Sequence, residues 1–355
     1  MIDPSSGGLR PPPSPARGEG GEAHVGALLA SAYPDRIAMA HRASKDARLS
    51  TGYGKRGEFL MANGRAAALE AHEALAGESF LAVGEVAGRA AAARILLAAP
   101  LTIADVERVA GAEIETADEL MFDRASASLR ARRRRRHGAL ILAERTLAVP
   151  ADEASAEALA RGVLSLGSSR LPWTKALKQW RGRVLFLRRA EDDGWPDLSD
   201  ARLASDPGWL QPFLIGKTRL DEIGADDLSA ALRAFIPWDL ARRLDEEAPT
   251  HFLAPTGTAA AIDYEAEGGP SIALRVQEFF GLAEHPSVAG GRIPLTLNLL
   301  SPAHRPIQVT KDLPGFWRGS WADVRADLRG RYPKHFWPED PANAPPTTRA
   351  KPRGT

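Results

Sequence analysis

The sequence contains no cysteine. That excludes disulfides, thiolate metal sites, iron–sulfur clusters and cysteine nucleophiles, and it fits a reducing, cytoplasmic location. No run approaches the roughly 20 apolar residues that a membrane span needs. Neither sign of charge is in surplus: 46 Lys and Arg stand against 45 Asp and Glu, for a formal net charge of +1. Any contact with a polyanion must therefore come from local patches. The 8 histidines are scattered, with no H-x-x-x-H or H-x-H pair to present two nitrogens to one metal. A G-x-S-x-G nucleophile elbow is also missing.

Two segments imitate a phosphate loop and fail. Gly216-Lys217-Thr218 has the right ending, but Gln211 stands where the first glycine of the motif belongs. Gly52-Tyr53-Gly54-Lys55-Arg56-Gly57 has Arg56 in place of the magnesium-binding hydroxyl. The carboxylate pairs Asp192-Asp193 and Asp226-Asp227 read as solvated loops or helix starts, where acidic residues suit the helix dipole. No catalytic residue and no metal ligand are assigned, and no cofactor is expected on these residues.

What is present is a chain of 355 residues with an ordinary soluble composition, 44% hydrophobic and 26% charged, long enough for two or three cores. The expected fold class is α+β: a small OB-like β-barrel, a central helical segment and a C-terminal mixed β/α domain. Residues 1–23, rich in Pro, Gly and Ser, read as disordered. Residues 24–57 read as a helix, His24 to Met39, and a flexible basic loop, Ser44 to Gly57. The candidates for that helix's buried face are Leu28, Leu29, Ala32 and Ile37.

Residues 58–150 carry short strand patterns at Ser79 to Val86, Arg94 to Ala98, Leu120 to Phe122 and Ser126 to Arg135. Asn63-Gly64 suits a tight type I′ hairpin. One helix interrupts them, with Thr102 as N-cap and Asp105 at the capping-box position. Residues 151–249 are helical, punctuated by Pro172, Pro196, Pro207, Pro212 and Pro237. Strands return in residues 250–341, which end in a helix from Trp321 to Arg331 with Ser320 as N-cap. Residues 342–355 read as a disordered tail.

Two basic segments are candidates for binding nucleic acid. Arg132, Arg133, Arg134, Arg135 and Arg136 form a dense cationic run in a strand pattern, so neither strand face reads as an apolar core. Such a strand protrudes, lies at an edge, or lies against phosphates; a charged edge that discourages aggregation is the competing reading. The segment PGFWRGSWADVRADLRGRYPKHFWPEDP, Pro314 to Pro341, mixes aromatic rings with cations. Flat rings stack on bases and cations hold phosphates. Helical spacing puts Trp321, Val324 and Leu328 on one core face. That leaves Trp317 and Trp337, with Arg318, Arg325, Arg329, Arg331 and Lys334, as the exposed candidates.

Long stretches of the chain resemble the C-terminal region of the bacterial DEAH-type ATP-dependent helicases of the HrpB family. They are RLDEEAPTHFLAPTGTAAAIDY (Arg243 to Tyr264), LRVQEFFGLAEHPSVAGGRIPLTLNLLSPAHRPIQVTKDLPGFWRGSW (Leu274 to Trp321) and LRGRYPKHFWPEDPANAPPTTR (Leu328 to Arg349). LLASAYPDRIA, FLMANGRAAAL, LPWTKA and WPDLSD look like the same family upstream. The resemblance implies an accessory, nucleic-acid-binding half of an RNA helicase, inactive alone. Its partners would be single-stranded RNA or DNA, and a motor encoded separately. ATP and magnesium would belong to that motor, whose phosphate loop, DEAH box and arginine finger have no match in this sequence. A protein-interaction module that docks on a helicase core through its Trp/Arg-rich end is the alternative.

Overall fold

A computed structural model describes residues 19–41, 56–88, 93–191 and 194–350, with side chains from residue 25 onward. Most of the basic loop expected at Ser44 to Gly57 lies outside the described residues, as do residues 1–18 and 351–355. The fold is mixed α+β. It divides into two compact units: the residues up to Leu120 with Arg130–Ala148, and Met121–Leu129 with the residues from Val149.

The first unit opens with α1 (Glu19–Ala32). The helix stops well before Met39, because Pro34 has no amide hydrogen to continue it and starts a 3₁₀ turn instead. Ile37 thus begins a strand, β1 (Ile37–Ala40). The buried face of α1 is Ala27 and Ala30, while Leu28 is exposed, so the expected register is corrected. β2 (Glu58–Met61), β3 (Ala66–Ala68), β4 (Phe80–Ala87) and β5 (Ala93–Leu101) complete a closed barrel in the order β1-β2-β3-β5-β4. Its strand contacts are antiparallel except for the parallel pair β3–β5.

Alternation along β4 explains the two layers. Leu81 and Val83 point into the barrel with Phe59, Met61 and Ile95. Ala82, between them, packs outward with Ile37, Leu101, Val106 and Leu140. Asn63-Gly64 does turn a hairpin between β2 and β3, but not as type I′. Only Gly64 has positive φ, and its amide bonds to the Met61 carbonyl at 2.9 Å. A three-residue loop ending in a left-handed glycine has this form.

α2 (Ile103–Ala110) starts at the expected box: the Asp105 amide donates to Thr102 Oγ1 and the Thr102 amide to Asp105 Oδ2, each at 3.1 Å. Then β6 (Ile114–Asp123), β7 (Ser128–His137) and β8 (Leu140–Leu147) form a three-stranded sheet with β7 in the middle. β6 is much longer than its sequence pattern, and β8 was missed because its residues alternate weakly. At the β7–β8 turn Gly138 has φ +52, and a Cβ there would collide with the Ala62 carbonyl, so only glycine fits.

The second unit contains the tip of the β6–β7 connection, where the Phe122 ring lies against Gly162. Gly162 belongs to α3 (Glu153–Leu164), capped by Asp152. α4 (Lys175–Glu191) buries Leu177, Trp180, Val184 and Leu187 at helical spacing. α5 (Asp200–Ser205) stops just before Pro207, which opens a 3₁₀ turn, and α6 (Ala225–Arg233) and α7 (Trp238–Glu247) follow.

β9 (His251–Leu253) and β10 (Ala259–Ala261) pair with each other, as do β12 (Ser287–Val288) and β13 (Ile293–Pro294). β11 (Ser271–Arg275), β14 (Thr296–Leu300) and β15 (Pro306–Thr310) form a mixed sheet with β14 central. α8 (Leu313–Arg318), unforeseen, precedes α9 (Trp321–Arg331). Ser320 stands at the N-cap of α9 but its hydroxyl accepts no bond there. Residues 342–350, expected as a disordered tail, are packed instead. Ala344 and Thr347 are buried, the Thr347 amide bonds to the Gln277 carbonyl at 3.1 Å, and the Phe336 amide to that of Ala350 at 2.7 Å.

Candidate nucleic-acid interface

The arginine run occupies the central strand β7, not an edge. Extended geometry still sends alternate side chains to opposite faces, and each face meets carboxylates from the flanking segments. On one face Arg134 bridges Glu119 Oε2 at 2.7 Å and Glu144 Oε2 at 2.6 Å. Arg132 shares Glu144 at 2.9 Å, and Arg136 shares Glu119 at 3.0 Å. On the other face Arg133 makes a two-pronged contact with Asp118, at 2.7 and 2.9 Å, and Arg135 meets Glu107 of α2 at 2.8 Å.

Arg134 is only 5% exposed, so ion pairing has let a guanidinium enter the interior. The hydrogen bond from Arg133 holds the Asp118 carboxyl below its usual range despite a small opposing effect of burial. All five arginines are thus already paired with carboxylates of the first unit, although the buried Nε of Arg136 finds no hydrogen-bond partner among the described residues. The acids were legible one by one, but the strand that carries Asp118 and Glu119 was read as starting only at Leu120.

The C-terminal segment is corrected in a different way. Trp317 is 8% exposed and Trp337 7%, so neither offers a free face for stacking; both join Trp321 in the core. Trp317 and Trp321 meet edge to face with centroids 5.5 Å apart, and Phe280 lies 5.6 Å from Trp321. Each indole N–H is used inside: Trp317 donates to the Leu282 carbonyl, Trp321 to that of Pro338 and Trp337 to that of Tyr332, all at 3.0 Å.

Of the cations, Arg325 donates to the Trp337 carbonyl at 3.1 Å and pairs with Glu339, and Arg331 pairs with Asp327 one turn back. Arg318, Arg329 and Lys334 are exposed and have no ion pair among the described residues. They are what remains of the predicted patch. Sequence reasoning also missed Trp238, the first residue of α7, which is 80% exposed. Pro237 before it was the available signal, since it places Trp238 on the first helical turn, away from the face anchored by Leu244.

A second ionic cluster ties three segments of the second unit. Glu191 receives Trp195 Nε1 at 2.9 Å and Arg243 at 2.8 Å, and it also contacts Arg292; Glu247 pairs with the same two arginines at 2.9 and 3.0 Å. Burial pushes the Glu191 carboxyl up, but the hydrogen bonds of Trp195, Glu247, Arg292 and Arg243 outweigh it and hold the group at about 2. Among the described residues no three His, Asp or Glu side chains converge to hold a metal ion. No described helix is long and apolar enough to cross a membrane.

Comparison with known proteins places these features. Residues 209–341 match the family model "ATP-dependent helicase C-terminal" of HrpB, and residues 113–147, the span of β6 to β8, match the connector region of the ATP-dependent RNA helicase HrpB. The chain is 37% identical to the ATP-dependent RNA helicase HrpB of Escherichia coli (strain K12) over 338 residues, 94% of this chain and 40% of that protein. The crystal structure of the E. coli DExH-box NTPase HrpB is similar with a TM-score of 0.55, over 92% of this chain and 39% of that one. The chain therefore spans about 40% of the length of the relative that it matches.

Proposed function

Because the chain carries the connector and C-terminal regions of the HrpB ATP-dependent RNA helicases, we propose that it grips single-stranded nucleic acid on behalf of a helicase motor. The observation that carries this reading is the closed five-stranded barrel and the composition of its β1–β2 connection. We read this small barrel, with its one parallel contact, as an OB fold, and OB folds hold oligonucleotides partly through that loop. Arg42, Lys45, Arg48, Lys55 and Arg56 lie in it against Asp46 alone, with Tyr53 among them. In this reading the β7 arginines shape the connector, and the loop supplies the phosphate contacts. ATP and magnesium belong to motor lobes, and the site of action is cytoplasmic.

The test is the affinity of the full chain for a labelled single-stranded RNA, read by fluorescence anisotropy across salt concentrations. Weak binding is expected, with log K falling linearly with log salt. Each loop cation replaced by Ser should flatten the slope by about 0.7 if it meets a phosphate. Replacing Arg132 to Arg136 should leave the slope unchanged. A flattened slope there would move the phosphate contacts to β7.

One observation favours a second reading, a docking module for a separate helicase core. Trp238 is the kind of exposed aromatic anchor that dominates interfaces. Co-purification with an ATPase, lost on Trp238→Ala, together with no RNA binding by the chain alone, would support it.

A further inference from the structure

We propose that the second unit has its own pocket for one unstacked nucleobase, built around Trp173 at the entrance to α4, and that it prefers bases with an exocyclic amino group. The proposal rests on the nucleic-acid reading above but on none of the residues used for it. Leu171 is buried and anchors the approach to the helix, and the Trp173 amide donates to its carbonyl at 2.8 Å. The indole N–H donates to the Ser168 carbonyl at 2.9 Å, and Thr174 Oγ1 accepts the Leu177 amide at 3.1 Å. The ring is therefore held in place before any ligand arrives.

Arg181 backs it. Its guanidinium lies 5.2 Å from the Trp173 ring centroid, held by Nε donating to the Leu198 carbonyl at 2.7 Å and by Asp200 Oδ1 at 3.1 Å. A cavity of about 250 Å³ opens here, lined by Ser169, Trp173, Lys178, Arg181, Asp200 and Glu265. Lys178 is exposed and has no ion pair among the described residues. Lys175, one turn earlier on the same face, is likewise exposed and unpaired among them. The Glu265 carboxylate has no hydrogen bond among the described residues, and neither has Oδ2 of Asp200.

The mixture selects the ligand. Two carboxylates in the lining repel a wholly anionic guest such as an acidic peptide or free phosphate. They are good acceptors for the amino group of cytosine, adenine or guanine, which uracil lacks. An aromatic ring and a guanidinium plane are the surfaces on which proteins stack splayed-out RNA bases. Lys178 and Lys175 at the rim suit the flanking phosphates.

The test uses the full chain with oligocytidine and oligouridine of equal length, read by anisotropy. Oligocytidine should bind more tightly, and Trp173→Ala should cost roughly tenfold, the loss of one stacked base. Lys178→Ser should reduce the salt slope by about 0.7. Glu265→Gln should narrow the gap between the two oligonucleotides while leaving oligouridine affinity in place. Lys178 and Glu265 are exposed, so these two variants report even if Trp173→Ala fails to fold. If the chain binds RNA but Lys178→Ser and Glu265→Gln change neither slope nor preference, the pocket is overturned while the barrel reading stands. Competition by polyglutamate that Lys178→Ser abolishes would also overturn it. A chain that binds no RNA at all removes both.

Discussion

Two segments of this molecule combine arginine with an abundant second residue type, and the second type decides what becomes of the first. In β7 the companions are carboxylates, and five arginines share four of them: Asp118 and Glu119 on β6, Glu144 on β8 and Glu107 on α2. From Pro314 to Pro341 the companions are tryptophans, which collapse together and leave three cations outside without an ion pair among the described residues. A dense run of positive charge in a sequence is thus a poor guide to positive potential. The sparse cations around a buried aromatic cluster are the ones left unneutralised.

Trp321→Ala strikes the aromatic side of the comparison and should have the largest effect, about 3–5 kcal/mol for deleting a buried ring. All 8 tryptophans lie beyond residue 149, in the second unit, so selectively excited tryptophan fluorescence during denaturant unfolding reads that unit alone. A loss under about 1 kcal/mol would show the cluster to be loosely packed. Arg134→Met tests the ionic side. We expect about 2 kcal/mol by circular dichroism, less than the 3–5 usual for breaking a buried pair, because Glu119 keeps Arg136 and Glu144 keeps Arg132.

Next in size is the cluster around Glu191, where charge and burial act together. Its carboxyl is held at about 2, below the ordinary value of 4.5. A depressed carboxylate adds stability that is fully present above the unfolded value and is lost as pH falls through the folded one. Wild type and Glu191→Gln should therefore differ in unfolding midpoint at pH 6 and converge towards pH 2. A constant difference would mean that lost packing, not charge, separates them. The smallest effect belongs to Arg133→Ser, whose pair with Asp118 is solvated. Its midpoint shift should be slight and should vanish in high salt.

Local signals survived the passage from sequence to structure, and non-local ones did not. Thr102 and Asp105 mark a helix start through atoms three residues apart, and the bounds of α7 and α9 follow from Pro237 and from helical periodicity. Burial of Trp317 depends on Phe280, far away in the chain, and pairing of Arg134 depends on strands that flank it only after folding. Leu28 shows the same limit inside one helix: its exposure is set by which face of α1 meets β4 and β5, and small residues won that contact. For the candidate interface, the cations were legible but their neutralisation was not.

The packed end of the chain bears on how the second unit is to be dissected. The family model stops at Pro341, where the Gly281 amide donates to the Pro341 carbonyl at 2.9 Å, yet the fold continues: the Thr347 amide donates to the Gln277 carbonyl. Residues 342–350 act as a strap, and its hydrogen bonds to Gln277 and Phe336 close the stretch of chain that holds the tryptophan cluster. A truncation that respects the family boundary would cut that strap, expose Ala344 and the Gln277 backbone, and raise the entropy of the stretch it closes. The natural unit of folding here is longer than the span that the family model matches.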